Sequence, residues 1–412
     1  MNVFAQWFQL LSEHPRKFLF ALTHTFFSGY GQTYFLAFVI TAIQDEFVAS
    51  YTEMGLVTMF MSLGSGMTIP YVGRLLDRVH VGSYSLMVGF FAALACVFLA
   101  SAKNLLGVFF GLYVLRLCAH GLLPHISDVA MSRYFSSNRG KALSLAGLGA
   151  CLCEIVVSCF ITKLLIAFTW RELFLLMSGS IVCIFLPVAA FMVQRDDEFH
   201  QAPNPDHEME SYENVSTMKL FSSLYFLSTL LLIMVPPFLV TAFLLYQKSL
   251  ALSKGWPVEV MASFLTGFAL CRSCFGMMAG ILTDRYGARN MISFYALPLS
   301  LGFAMLVFVN HPVSALCCFT LAGGTLGFGS NFKAAVWSEL YGRCYIAKVR
   351  SIVSSMVIFS TAISPPLVGY LLDHGYTFTF MLWAAIFMIW STAALHFMVS
   401  RSRYALPVPA SA

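Results

Sequence analysis

Gly73-Arg74-Leu75-Leu76-Asp77-Arg78 returns half a chain later as Gly280-Ile281-Leu282-Thr283-Asp284-Arg285. Each copy closes a long apolar run and opens a short basic segment before the next run. A duplicated helical bundle in a bilayer gives this spacing, because each half repeats the same order of spans and loops.

Composition points the same way. Of 412 residues, 59% are hydrophobic and 10% charged, and the mean hydropathy is +0.78. A soluble domain carries about 25% charged residues. So little polar surface cannot clothe a water-soluble particle of this size, and lipid must solvate most of the exterior. The net charge of +5 is spread over short loops, which gives no nucleic-acid-binding patch. The 11 cysteines lie almost entirely in apolar runs. Cys271-x-x-Cys274 and Cys151-x-Cys153 lack further ligands at metal spacing and are expected to pack rather than bind. The first apolar run follows Arg16 and Lys17 and is too long for a signal-peptide core.

About twenty apolar residues cross the hydrocarbon core as a helix. Twelve such runs are predicted. They cover about 18–43, 53–73, 83–101, 105–132, 142–168 and 172–194, then 222–247, 257–281, 290–309, 312–339, 350–372 and 377–399. The predicted fold is an all-α integral membrane protein with two pseudo-symmetric six-helix bundles, 1–194 and 220–412. The segment 195–219, rich in Asp and Glu (Asp196, Asp197, Glu198, Asp206, Glu208, Glu210), reads as a cytoplasmic linker. With the N-terminus inside, only Lys103, Arg171, Lys248 and Lys254 fall in outer loops, and most other basic loop residues fall inside. The positive-inside rule then places both termini in the cytoplasm of a multi-pass cell-membrane protein.

These residues resemble the major facilitator superfamily of secondary transporters. The repeated Gly-x-x-x-Asp-Arg resembles the loop between the second and third helices of each half in that family. The second copy extends through Tyr286-Gly287-Ala288-Arg289. The first departs at His80, where the family usually has Gly, and at Val81, which is often basic. A finer resemblance is to the monocarboxylate and oxalate/formate branch. It rests on Arg133 to Ser144 (RYFSSNRGKALS), on Glu339-Leu340-Tyr341-Gly342 and on Ser364-Pro365-Pro366-Leu367-Val368-Gly369. Trp170-Arg171 matches a common turn before the sixth span. The resemblance implies two bundles that rock about a central cavity, without ATP. No phosphate-cradling Gly-x-x-x-x-Gly-Lys-Ser/Thr occurs.

An ionisable group at the bilayer centre costs roughly 2.5–3.5 kcal/mol on insertion scales, so each such group is a site candidate. Arg272 lies mid-span in the eighth run. In the branch that this chain resembles, an Arg near this position binds the substrate carboxylate, and a guanidinium can fork onto two carboxylate oxygens. Where monocarboxylate members often carry an Asp one turn earlier, this chain has Phe268. The eleventh run also lacks the Lys of oxalate exchangers.

Arg116 and His120 stand four residues apart on one face of the fourth span, and Glu154 is mid-span in the fifth. They form either a permanent bridge between two helices or a proton relay. In the first span, Ser28-Gly29-Tyr30-Gly31-Gln32-Thr33 offers Tyr30 and Gln32 as hydrogen-bonding groups toward a substrate, and its glycines allow close helix approach. His24 is a structural hydrogen bonder or a titrating group. Asp128 is expected to pair with Arg78 in a conformational lock that includes Gly73, Asp77, Gly280, Asp284 and Arg285. Lys333 in the tenth span either snorkels to the inner surface or reaches the cavity. The Gly323 to Gly329 stretch is expected to let two helices touch. Pro236-Pro237 predicts a break or kink in the seventh span.

No catalytic triad, zinc spacing or paired active-site carboxylates appears, so neither an enzyme nor a cofactor is expected. The predicted function is a secondary carrier of a small organic anion, a monocarboxylate, by proton symport or exchange. It would work as a monomer with a small-molecule substrate, protons and lipid as partners. The alternatives are efflux of amphipathic compounds by proton antiport, and a non-transporting sensor on a transporter fold.

Overall fold

The computed structural model describes residues 11–135, 139–193 and 221–401, without the side chains of a few positions among them, Asp77 and Asp284 included. Twelve helices are long and apolar enough to cross a membrane. They are α1 (Pro15–Phe47), α2 (Tyr51–Leu76), α3 (Val81–Ala100), α4 (Leu105–Tyr134), α5 (Ala142–Ile161) and α6 (Trp170–Phe191). The rest are α7 (Leu224–Leu245), α8 (Ser263–Thr283), α9 (Ala288–Phe308), α10 (Pro312–Trp337), α11 (Val349–Asp373) and α12 (Phe378–Arg401). Each overlaps one predicted run. No strand occurs among the described residues.

The chain divides into two units, one within Met1–Ala49 and Leu56–His207, the other within Ser50–Gly55 and Glu208–Ala412. The predicted linker 195–219 lies outside the described residues.

In the first unit, α1 is buried on several sides and is not one regular helix. It runs helically to Ser28, tightens into a 3₁₀ turn at Gly29–Gly31, passes through an extended Gln32 (φ −80°, ψ 149°) and resumes at Thr33. α4 deviates the opposite way, widening into a π-helix at Arg116–Leu122. A polar tie joins the end of α1 to the start of α6. Glu46 accepts from Trp170 Nε1 (2.6 Å) and Arg171 (2.5 Å), and Arg171 also donates to Ala102 O (2.9 Å). Thr169 and Glu172 close a reciprocal capping box at the start of α6.

In the second unit, α7 rules out one of the two outcomes expected of its prolines, the break. The helix continues through Pro236-Pro237 without a break. Each proline removes an N–H and orphans the carbonyl four residues earlier, those of Leu232 and Ile233. The Tyr295 hydroxyl of α9 lies 3.0 Å from Leu232 O and 3.1 Å from Ile233 O, where it can donate to either. A neighbouring helix therefore meets the hydrogen-bond demand that the prolines create in an apolar setting. Ser360 and Ser364 of α11 donate to Met234 O (3.3 Å) and Phe238 O (2.6 Å) of the same helix.

The first turn of α2 groups with this unit. Ser50 and Glu53 form a reciprocal cap (2.8 and 3.1 Å). Asp373, at the end of α11, accepts from the Tyr51 amide (3.0 Å), the Thr52 amide (2.8 Å) and the Thr52 hydroxyl (2.5 Å). The first three amides of the helix are thus all engaged, two by the Asp373 carboxylate and the third by the Ser50 hydroxyl. Gly55 allows the turn to lie on Pro365-Pro366, where a Cβ would stand 2.5 Å from Pro366 Cα.

Candidate functional site

Charged side chains lie within spans of both units. In the first unit the organising element is the 3₁₀ turn of α1. A Cβ on Gly31 would stand 2.8 Å from the His120 amide nitrogen. A Cβ on Gly29 would collide with the Cys153 thiol and come within 2.7 Å of the Tyr34 hydroxyl. Only glycine at these two positions lets α1 touch α4 on one side and α5 on the other.

The bend also exposes backbone. Arg116 donates to Gly31 O (3.2 Å), with Thr33 Oγ1 at 3.5 Å. A guanidinium here supplies fixed donors to a segment that has left its helical hydrogen bonding. His120 sits on the same π-widened stretch, and its buried Nδ1 has no hydrogen-bond partner among the described residues. π-Segments of this kind are frequent at functional sites. Glu154 is fully buried on α5, next to Cys153. The structure thus brings Arg116 and His120 together on Gly31 and places Glu154 on the adjoining helix, while Arg116 itself donates to α1.

Tyr30 turns elsewhere. Its hydroxyl pairs with Ser180 Oγ of α6 (2.8 Å). Its ring lines an apolar hollow of about 250 Å³ between α1, α5 and α6, with Phe26, Phe35, Val156, Phe160 and Leu176. Gln32 is half-buried at the extended joint. His24 is fully buried and doubly bonded, to Phe20 O (2.7 Å) and Ser85 Oγ (2.5 Å).

In the second unit Arg272 is half-buried on α8, its guanidinium 5.6 Å from the centre of the Phe268 ring. Phe268, standing where the resemblance leads one to look for an acid, is instead its aromatic neighbour. α10 crosses α8 in direct backbone contact, because Gly323 meets Phe268 O and Gly327 meets Arg272 O where any Cβ would clash. The glycine stretch is therefore a helix-crossing surface, as its sequence suggests.

The lock positions are only partly described. Gly73 is buried, and a Cβ there would meet His125 Nε2 at 3.3 Å. Arg78 and Asp128 are exposed, and so is Arg285, whose guanidinium lies 5.3 Å from the Tyr286 ring. Among the described residues, nothing stands within 4 Å of a Cβ at Gly280. The Asp77 and Asp284 side chains lie outside the described residues. After the second copy, Gly287 turns at φ 78°, and Glu339 accepts from the Ala288 and Arg289 amides (2.7 and 3.0 Å). Glu339 thereby caps α9.

Two features of these sites were not read from sequence. One is the pairing of a π-segment with a 3₁₀ turn, whose only trace is Gly-Tyr-Gly-Gln inside an apolar run. The other is Arg350, which joins Lys333 in a cavity.

The sequence profile of the Major Facilitator Superfamily matches residues 22–264 and 221–411. The chain belongs to the major facilitator superfamily. No curated protein sequence matches it. Its fold is similar to that of a bacterial homolog of the human lysosomal transporter Spinster, in an inward-facing and unoccupied conformation. The TM-score is 0.71 at 12% identity, over 94% of this chain and 97% of that one. The occupied inward-facing form of that homolog gives 0.70 at 13% identity, over 95% and 98%. The nucleoside transporter NupG gives 0.68 at 12% identity, over 93% and 98%. This superfamily member is a multi-pass membrane protein with a transporter fold.

Proposed function

We propose that this superfamily member carries a small organic anion, a monocarboxylate, by alternating access, with proton symport or exchange as the coupling. The observation that carries the reading is Arg272, a half-buried guanidinium in the middle of an apolar span beside Phe268. Such a group is costly in lipid and matches a carboxylate in charge and shape. In this reading Glu154, with His120 or Arg116, handles the proton, and Gln32 adds a polar contact. The protein acts as a monomer in the cell membrane with both termini in the cytoplasm. Uptake of radiolabelled lactate, pyruvate or formate into proteoliposomes after a pH jump tests it. Arg272→Ala is expected to abolish uptake and Arg272→Lys to leave weak activity. Wild-type uptake by Arg272→Ala refutes the role.

The apolar hollow lined by Tyr30, Phe35 and Phe160 favours a second reading, efflux of amphipathic compounds. Proton-driven dye extrusion, with no carboxylate flux, would select it.

A further inference from the structure

The second unit contains another cationic hollow. Lys333, Trp337 and Ser330 of α10 and Arg350 and Ser354 of α11 line a cavity of about 320 Å³, completed by aliphatic side chains of α11. Helical backbone runs through Pro312–Asp373. In a straight helix Ser330 and Ile358 would stand about 40 Å apart at 1.5 Å per residue. Both line this cavity, so the chain doubles back between the two spans.

Two like charges share this hollow, and among the described residues neither has a carboxylate partner. The acid nearest Lys333 along the chain, Glu339, is engaged with the α9 amides. The Lys333 ammonium is positioned from several sides. Its Cε and Nζ lie 3.2 and 3.4 Å from where a Gly329 Cβ would be, so the missing side chain makes room for them. It lies 5.8 Å from the centre of the Tyr295 ring, and Tyr295 is itself fixed by its bonds to α7. The Ser330 hydroxyl is spent on Gly327 O (2.7 Å), and Ser354 is exposed. A point-charge ammonium, a forked guanidinium and one hydroxyl therefore face a common space.

We propose that this cavity binds a phosphate group, at a site separate from Arg272. Two cations and a hydroxyl present more donors than the two oxygens of a carboxylate satisfy, and one negative charge would leave the hollow positive. A phosphate supplies three or more acceptor oxygens and up to two charges. Its source is either a soluble phosphate monoester or the monoester headgroup of a lipid, as in phosphatidic acid. Lys, Arg and Trp at a span end are suited to the second as well as the first. The proposal does not depend on the monocarboxylate reading.

The test uses the full chain in nanodiscs. In one arm, glycerol 3-phosphate and inorganic phosphate are titrated calorimetrically into protein held in phosphatidylcholine. In the other, native mass spectrometry counts retained lipids after reconstitution with phosphatidic acid. A soluble ligand predicts saturable heat in the first arm, weakened at least tenfold by Lys333→Gln or Arg350→Gln and absent in the double variant. A headgroup ligand predicts no such heat, and one more phosphatidic acid retained by wild type than by the double variant. Lys333→Arg is expected to keep binding in whichever arm responds. Arg272→Ala is expected to keep phosphate binding even where it loses carboxylate uptake, so the two readings fail separately. Identical behaviour of wild type and the double variant in both arms overturns the proposal, and so does loss of phosphate binding in Arg272→Ala.

Discussion

Gly31 lies so close to His120 that a single methyl group on it would stand 2.8 Å from the His120 amide nitrogen. The neighbour is backbone and cannot swing aside, so α1 and α4 must separate if a side chain is added. Overpacking of this kind costs about 1–3 kcal/mol. Gly31→Ala is expected to lower the melting temperature and Gly31→Val to lower it further, with transport falling in parallel. Gly147→Ala is the control, because among the described residues nothing lies within 4 Å of a Cβ there. Thermal unfolding in nanodiscs reads both, and equal melting of Gly31→Val and wild type would contradict the contact.

Tyr295→Phe keeps the ring and removes the hydroxyl that faces Leu232 O and Ile233 O. Leaving a buried acceptor unsatisfied costs about 1–3 kcal/mol. The loss should shrink in a background of Pro236→Ala and Pro237→Ala, where the amides of the chain again reach those carbonyls. A double-mutant cycle on unfolding free energy measures the coupling. Additive losses would show that the hydroxyl and the prolines act independently.

Asp373→Ala removes the acceptor of the Tyr51 and Thr52 amides. Loss of a helix cap is worth about 0.5–2 kcal/mol. Amide exchange at the start of α2 is therefore expected to quicken by about 2- to 30-fold, while exchange in the body of α3 stays as in wild type. Hydrogen–deuterium exchange resolved to peptides checks this. Unchanged protection at residues 51–53 would exclude Asp373 as the cap.

Val48 closes α1 at φ 50° and is 90% exposed. A β-branched residue is strained in this left-handed region, at a cost of about 1–3 kcal/mol, whereas glycine adopts it freely. Val48→Gly is expected to raise the melting temperature by a few degrees. A fall would indicate that the lost side chain or the freer unfolded chain outweighs the relieved strain.

Much of the fold was legible because lipid imposes one simple demand. Each span needs about twenty apolar residues with its backbone bonded internally, and the repeated Gly-x-x-x-Asp-Arg marks the duplication. The close packing at Gly323 and Gly327 followed from residue size alone. The continuity of α7 did not, because its prolines predict a broken or kinked helix while the group that meets the freed carbonyls, Tyr295, lies about sixty positions away on α9. The partner of Tyr30 was hidden for a similar reason. Its place in the first span suggests a substrate contact, and the Ser180 hydroxyl that it meets in the structure lies on α6, far along the chain. Arg116 and His120 share a face by spacing, yet that they converge on Gly31 depends on two departures from regular helix that no periodicity reveals.

The widened stretch of α4 fits more residues into its turns than an α-helix would. Everything beyond Leu122 is therefore out of phase with the part before Arg116. Excising one residue between them would let the rod run true, but it would swing Asp128 and Arg133 by about 100° around the axis. The irregularity near the proposed proton groups thus also sets which way the far end of the rod presents its charges. A lesion at one end would be felt at the other without any contact between them.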